Sequence, residues 1–222
     1  TPEAQKTTPW KPFDNVDYVG ICWVSAWLIH TDDGVVLLDT LYGPFSGQLV
    51  DNIKAVGVDL ADIKYVLITH GHFDHAGGLC DFCQAEVHVH QAEMQAAKEP
   101  ADDAYFLEDF SMPLNWRLQT GEYDLVSGVS AIETPGHTAG HMSMLIELPN
   151  GAPILLAGDA ADLTENLEKE IAPGLCWQGR ADLAIESIRK LKRLGKQKNA
   201  TVWPNHDMEF FKKHDVFPGF YE

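Results

Sequence analysis

The sequence predicts an α/β protein in which two β-sheets are packed together and covered by helices. Three observations predict it. Short apolar runs rich in β-formers alternate with stretches of helical periodicity. The element order reads β-β-α-β-β-α in the first half and β-β-β-α-β in the second. Hydrophobic residues make up 45% of the 222 residues, enough for a large core and against long disorder.

Each element follows from local chemistry. The stretch Val19–Ile29 is apolar, interrupted by Ser25 and bounded by Asp17 and His30. It reads as a strand, because a membrane span needs about 20 apolar residues. Thr31-Asp32-Asp33-Gly34 is a hairpin signal leading to a second buried strand, Val35–Leu38. Leu49, Val50, Ile53 and Val56 place a helix over residues 47–56. Tyr65–Ile68 and Glu86–His90 read as strands, and Gln91–Ala97 as a helix stopped before Pro100. Residues 98–116 lack periodicity but hold Tyr105, Phe106, Leu107, Phe110, Met112 and Trp116, as a substrate-facing loop would. In the second half, strands are expected at Val129–Glu133, Ser143–Leu148, Ile154–Ala157 and Thr201–Trp203. Ala184, Ile188, Leu191 and Leu194 mark a helix over residues 181–194. The polar, proline-containing opening predicts a loose N-terminal arm over residues 1–16. No linker interrupts the remainder, so residues 17–222 read as one domain.

Charge narrows the function. Acidic side chains number 33 and basic ones 16, a formal charge of −17. That balance argues against nucleic acid, which needs a basic stripe, and against adhesion to an anionic membrane. Six basic residues fall within Arg189–Lys198, at the helix end where cations suit the dipole, and read as a solvated face. Among the cysteines, Cys22, Cys80, Cys83 and Cys176, the Cys80-x2-Cys83 pair lacks the second pair that a structural zinc site requires. These read as unpaired thiols. The first residue is Thr1, not Met, which allows a processed exported form as well as a cytoplasmic one. The partner expected is a small-molecule substrate, and a homodimer is compatible with the sequence.

His70-x-His72-x-Asp74-His75 places four candidate ligands in six residues directly after a buried strand. Imidazole and carboxylate together suit zinc and other first-row divalent metals. Three later residues also follow strands: His137 in Thr134-Pro135-Gly136-His137, Asp159 in Ala157-Gly158-Asp159, and His206 after Pro204-Asn205. His88 and His90 share one face of a strand and read as solvated.

This pattern, from about Tyr18 to His206, resembles the metallo-β-lactamase superfamily, whose fold is a four-layer αββα sandwich. The resemblance implies a dinuclear zinc centre. One ion is then held by His70, His72 and His137, the other by Asp74, His75 and His206. Asp159 bridges them, and a metal-bound hydroxide is the nucleophile, with Asp74 handling a proton. Other divalent transition metals would also suit these ligands. Asp39, in Val36-Leu37-Leu38-Asp39-Thr40, and His141 are expected to support the ligands from behind. Trp23, Phe106, Phe110, Met112 and Asp162 are expected at the substrate pocket.

Within the superfamily, Gly158–Leu167, Asp182–Leu191, Asn205-His206-Asp207 and Thr134–His141 are similar to N-acyl homoserine lactonases. Such enzymes open the lactone of a bacterial signal, which makes quorum quenching the first expectation. Many of them carry tyrosine three residues after the bridging aspartate, where this chain has Asp162. An ionised carboxylate cannot donate the tyrosine's hydrogen bond. The N-terminal stretches Tyr18–Gly20, Val24–Ile29 and Gly34–Asp39 are similar to class B3 metallo-β-lactamases, so β-lactam hydrolysis is the alternative. A glyoxalase II-like thioesterase is a second alternative.

Overall fold

Seven strands of the first half pair into one sheet: β1 (Trp10–Phe13), β2 (Val16–Tyr18), β3 (Trp27–Thr31), β4 (Gly34–Leu38), β5 (Ile63–Leu67), β6 (Glu86–His90) and β7 (Asn115–Gln119), in that spatial order. The computed structural model describes residues 5–100 and 102–214. The chain divides into two compact units, residues 1–119 and 120–222.

In the first unit, β1 to β4 pair antiparallel and β4 to β7 parallel. The predicted hairpin forms, with Thr31 opposite Gly34. Helix α1 (Gly43–Ala55) starts with a proline in its first turn, where the missing N–H is no loss. It buries Phe45, Leu49 and Ile53 in a core shared with Leu37, Val66 and Val87. Asn52, on the same helix, donates to the carbonyls of Val19 and Gly20 at 3.0 and 3.1 Å. Helices α2 (Phe73–Ala76), α3 (Gln91–Lys98) and α4 (Leu107–Phe110) follow in chain order.

Several expectations need correction here. Only the end of the Val19–Ile29 run is strand. Residues 19–26 form a buried loop, closed by Val19 N–H to Ala26 O and Ile21 N–H to Val24 O at 2.9 and 3.0 Å. Gly20 permits it, since a Cβ there would stand 2.5 Å from Val24 O. Hydropathy alone does not separate a buried loop from a strand. The arm expected over residues 1–16 is strand from Trp10 onward. Its proline and charges hid two anchors, Trp10 and Phe13, both buried. Trp10 packs on Tyr18 and Trp27, with ring centroids 5.8 and 6.4 Å apart. Residues 1–4 lie outside the described residues. Strand β7 and helix α4 occupy part of the segment read as irregular. His88 is buried, not solvated, because β6 is an interior strand covered on its face.

The second unit is a five-stranded sheet in the order β12-β11-β10-β9-β8. Its strands are β8 (Tyr123–Val126), β9 (Val129–Glu133), β10 (Met142–Ile146), β11 (Ile154–Leu156) and β12 (Thr201–Trp203). All neighbours are antiparallel except β11 and β12. Strands β9, β11 and β12 therefore run the same way. Helix α6 (Ala181–Lys198) buries Ala184, Ile188 and Leu191, as its stripe predicts. Leu191 joins Ile132, Leu145, Leu155 and Ala157 in the core of this unit. Its basic residues are less free than expected. Arg189 and Lys192 both bind Glu170 at 2.8 Å, which holds that carboxyl at about 2. Helices α5 (Thr164–Lys169) and α7 (Met208–His214) flank α6 in sequence.

Candidate metal centre

Parallel strands deliver their C-terminal ends to one edge of a sheet, where ligand sites of α/β folds usually lie. In the first unit β4, β5 and β6 are parallel, so Asp39, the His70 loop and helix α3 all begin at the same edge.

The loop His70–His75 is held from three sides. Asp39, buried and in the left-handed region at φ 60°, accepts from Thr69 N–H and Thr69 Oγ1, both at 2.8 Å. Its second oxygen is 2.7 Å from His75 Nδ1. Burial raises the Asp39 pKa, and His75 and Thr69 oppose that rise. Because Asp39 occupies Nδ1 of His75, the Nε2 lone pair is the one turned toward a ligand. Thr40 clasps the far end of the loop, its N–H and Oγ1 both donating to His75 O at 2.7 and 2.9 Å. Gly78 allows this approach, since a Cβ there would stand 2.2 Å from Thr40 O. Glu93 on α3 holds the middle. It is fully buried and accepts from Gly71 N–H and Tyr105 O–H, both at 2.8 Å. His70 Nε2 and His72 Nδ1 come within 3.0 Å of each other, the spacing of two nitrogens on one ion. Asp74 Oδ2 lies 3.7 Å from His75 Nε2.

In the second unit the candidate ligands come from the C-terminal ends of the three like-directed strands. His137 follows β9, Asp159 sits in a 3-10 turn after β11, and His206 follows β12. His137 Nδ1 is 3.1 Å from Leu175 O, so it carries the proton and turns Nε2 toward Asp159 Oδ2, 3.4 Å away. His206 Nε2 is 3.0 Å from the same Asp159 oxygen. Asn205 Nδ2 donates to the other, Oδ1, at 2.6 Å.

His141 supports Asp159 from behind. The Asp159 backbone N–H donates to His141 Nε2 at 2.9 Å, so that nitrogen carries the lone pair. Nδ1 must then donate to Thr134 Oγ1 at 2.8 Å. Thr134 passes the direction on to Ser143 Oγ at 2.8 Å, and Ser143 donates to Ala157 O at 2.6 Å. These contacts engage both His141 ring nitrogens and leave neither for a metal. Gly158 makes room for it: at φ +57°, a Cβ would stand 2.7 Å from His141 Nε2.

The predicted pocket residues scatter. Phe110 and Met112 belong to or pack on the first unit's core, Phe110 being stacked on Trp116, so neither forms an open wall. Trp23 leans on Tyr42 and donates to Gln5 Oε1 at 2.9 Å. Phe106 is 49% exposed and stacks on Phe73 beside the histidine loop. Asp162 lies with Asp159 and His206, the three presenting ligand atoms within 4.8 Å of one another. Burial, and then the Asp159 charge, raise the Asp162 pKa, with His206 and His137 opposing. Glu93, Asn205 and the Leu175 carbonyl carry roles that the sequence reading did not assign. Cys80 and Cys83 are exposed free thiols. Among the described residues, no helix is long and apolar enough to cross a membrane.

Residues 19–206 match the family described as the Metallo-beta-lactamase superfamily. The chain is 33% identical to an N-acyl homoserine lactonase of Bacillus sp over 219 residues, covering 88% of this chain and 85% of that protein. It is similar to the crystal structure of a quorum-quenching N-acyl homoserine lactone lactonase, with a TM-score of 0.79 and 30% identity over 92% of this chain and 86% of that one. The Rm3 metallo-beta-lactamase shares the fold at a TM-score of 0.68 and 24% identity, over 91% of this chain and 79% of that one.

Proposed function

Because the chain belongs to the metallo-beta-lactamase superfamily and has its α/β fold and metal-dependent hydrolase chemistry, we propose that it is a dinuclear zinc lactonase opening N-acyl homoserine lactones. In this reading His70, His72 and His137 hold one ion, and Asp74, His75 and His206 hold the other. Asp159 is shared between them. The donor set fits. Nδ1 of His75 and of His137 is already committed to Asp39 and to Leu175 O, which leaves Nε2 as the donor in both. When bound there, divalent ions would lower the pKa of water toward neutrality and polarise a carbonyl oxygen.

The protein's own groups do the rest. Asp74 and Asp159 offset the charge of the ions. Asp74 takes up the proton that water loses and returns it to the ring oxygen as the C–O bond breaks, so that water and lactone become a hydroxy acid, whose carboxyl proton is released to solvent. Asp39 and Leu175 O hold imidazole tautomers, and Glu93 keeps the Gly71 turn in place. Phe106, exposed beside Phe73, offers apolar surface to an acyl chain.

The observation that carries the lactone over a β-lactam is the 33% identity to a lactonase across nearly the whole chain. The test is a hydrolysis panel with zinc-loaded protein: acyl homoserine lactones, nitrocefin and lactoylglutathione. Lactone opening is expected to dominate. Nitrocefin cleavage with no lactone turnover would contradict the reading.

A further inference from the structure

We infer that Asp162 is an additional ligand of the ion proposed for His206 and Asp159. The inference rests on the metal reading above. First-row ions bond oxygen and nitrogen at about 2.0–2.2 Å, which sets adjacent ligand atoms about 3 Å apart and opposite ones about 4 Å apart. The donor atoms of Asp159, Asp162 and His206 all lie within 4.8 Å of one another, so small side-chain rotations close them on one ion.

The backbone locks this arrangement. His206 N–H donates to Asp162 O at 2.8 Å, and Asn205 N–H donates to Ala161 O at 3.1 Å. Residues 161–162 and 205–206 are thus held side by side, which puts Asp162 and His206 at one level. Asn205 occupies Asp159 Oδ1, which leaves Oδ2 toward His206. Asp162 itself is under-served: Oδ1 is buried without a hydrogen-bond partner, and Oδ2 has only the Gly174 amide at 3.5 Å. A buried carboxylate oxygen in that state calls for a cation. With Asp162 added, three carboxylates (Asp74, Asp159 and Asp162) beside His75 and His206 make a harder donor set than the three histidines and shared Asp159 proposed for the other ion. Asp162 therefore shifts this position toward manganese or iron relative to zinc.

The test is chelator-competition titration of the metal-free full-length protein with Zn2+, Mn2+ and Co2+, comparing wild type, Asp162→Asn and His206→Ala. Losing an outer partner of a ligand weakens metal binding by about 10–100-fold. Asp162→Asn is expected to weaken one ion by at least the upper end of that range, manganese more than zinc, and to change the Co2+ visible spectrum. If His206→Ala weakens an ion while Asp162→Asn alters neither affinity nor spectrum, the inference is overturned and the metal reading stands. If His206→Ala changes nothing, the metal reading itself fails. Should Asp162→Asn not fold, anomalous diffraction from Co2+-loaded wild type decides. An Asp162 oxygen at about 2.0–2.3 Å from an ion supports the inference, and one beyond about 3 Å refutes it.

Discussion

The two units present their candidate ligands in opposite ways. The first packs His70, His72, Asp74 and His75 into one loop and steadies it with two buried carboxylates, Asp39 after β4 and Glu93 on α3. The second collects His137, Asp159 and His206 from three strands, and steadies them with backbone contacts and a hydrogen-bond relay through His141, Thr134 and Ser143. A contiguous loop has its spacing set by chain geometry and needs only to be anchored. Dispersed ligands depend on sheet register and on glycines that let neighbouring segments approach. Damage to the first unit should therefore show in the metal, and damage to the second in the fold.

The largest effect is expected at Gly158. Alanine there meets both a left-handed backbone and the His141 ring, and should cost about 2–3 kcal/mol in urea unfolding. Gly57→Ala, at φ +85° but facing open space, should cost about 1 kcal/mol. Equal costs would break the claim that packing behind Asp159 is what Gly158 serves. Asp39→Asn should weaken metal binding about 10–100-fold by competition titration while the metal-free protein keeps its melting temperature. The amide oxygen can still accept from Thr69, and burial already disfavours the aspartate charge.

The smallest effect is a pH dependence at Asp109. Burial and the adjacent Glu108 push its carboxyl up to about 6. The folded protein then binds more protons than the unfolded chain between about pH 4 and 6, so stability falls as pH rises through that window. Asp109→Asn removes the penalty. It should stabilise by about 0.5–1 kcal/mol at pH 7.5, a value reduced for the side chain's partial exposure, and by nothing near pH 4. A gain of equal size at both pH values would contradict the assignment.

Legibility in the sequence followed the same division. Glu86–His90, Val129–Glu133 and Thr201–Trp203 form strands with the expected ends, because turn-forming or polar residues bound each apolar run. Strand β8 was not foreseen, since Tyr123–Val126 at the sheet edge has no fully buried residue to mark it. The histidine loop is readable as a motif, and the three dispersed candidate ligands as polar residues after strands. Glu93 was hidden inside an ordinary helical stretch. The only signal was its place three residues beyond the end of a strand parallel to β5. Leu175 acts through its backbone carbonyl, which no side-chain pattern reports. The direction of Asp162 depends on the pairing of residues 161–162 with 205–206, a tertiary fact that the tyrosine-to-aspartate departure could only raise as a question.

In the proposed function the two sets of candidate ligands would serve common ions. The direct test is a double-mutant cycle on zinc affinity between His72, from the first set, and His137, from the second. His72→Ala and His137→Ala are each expected to weaken the same ion, and the double variant to lose far less than the sum of the two, because ligands of one ion act as a unit. Additive losses, with each substitution weakening a different ion, would contradict it.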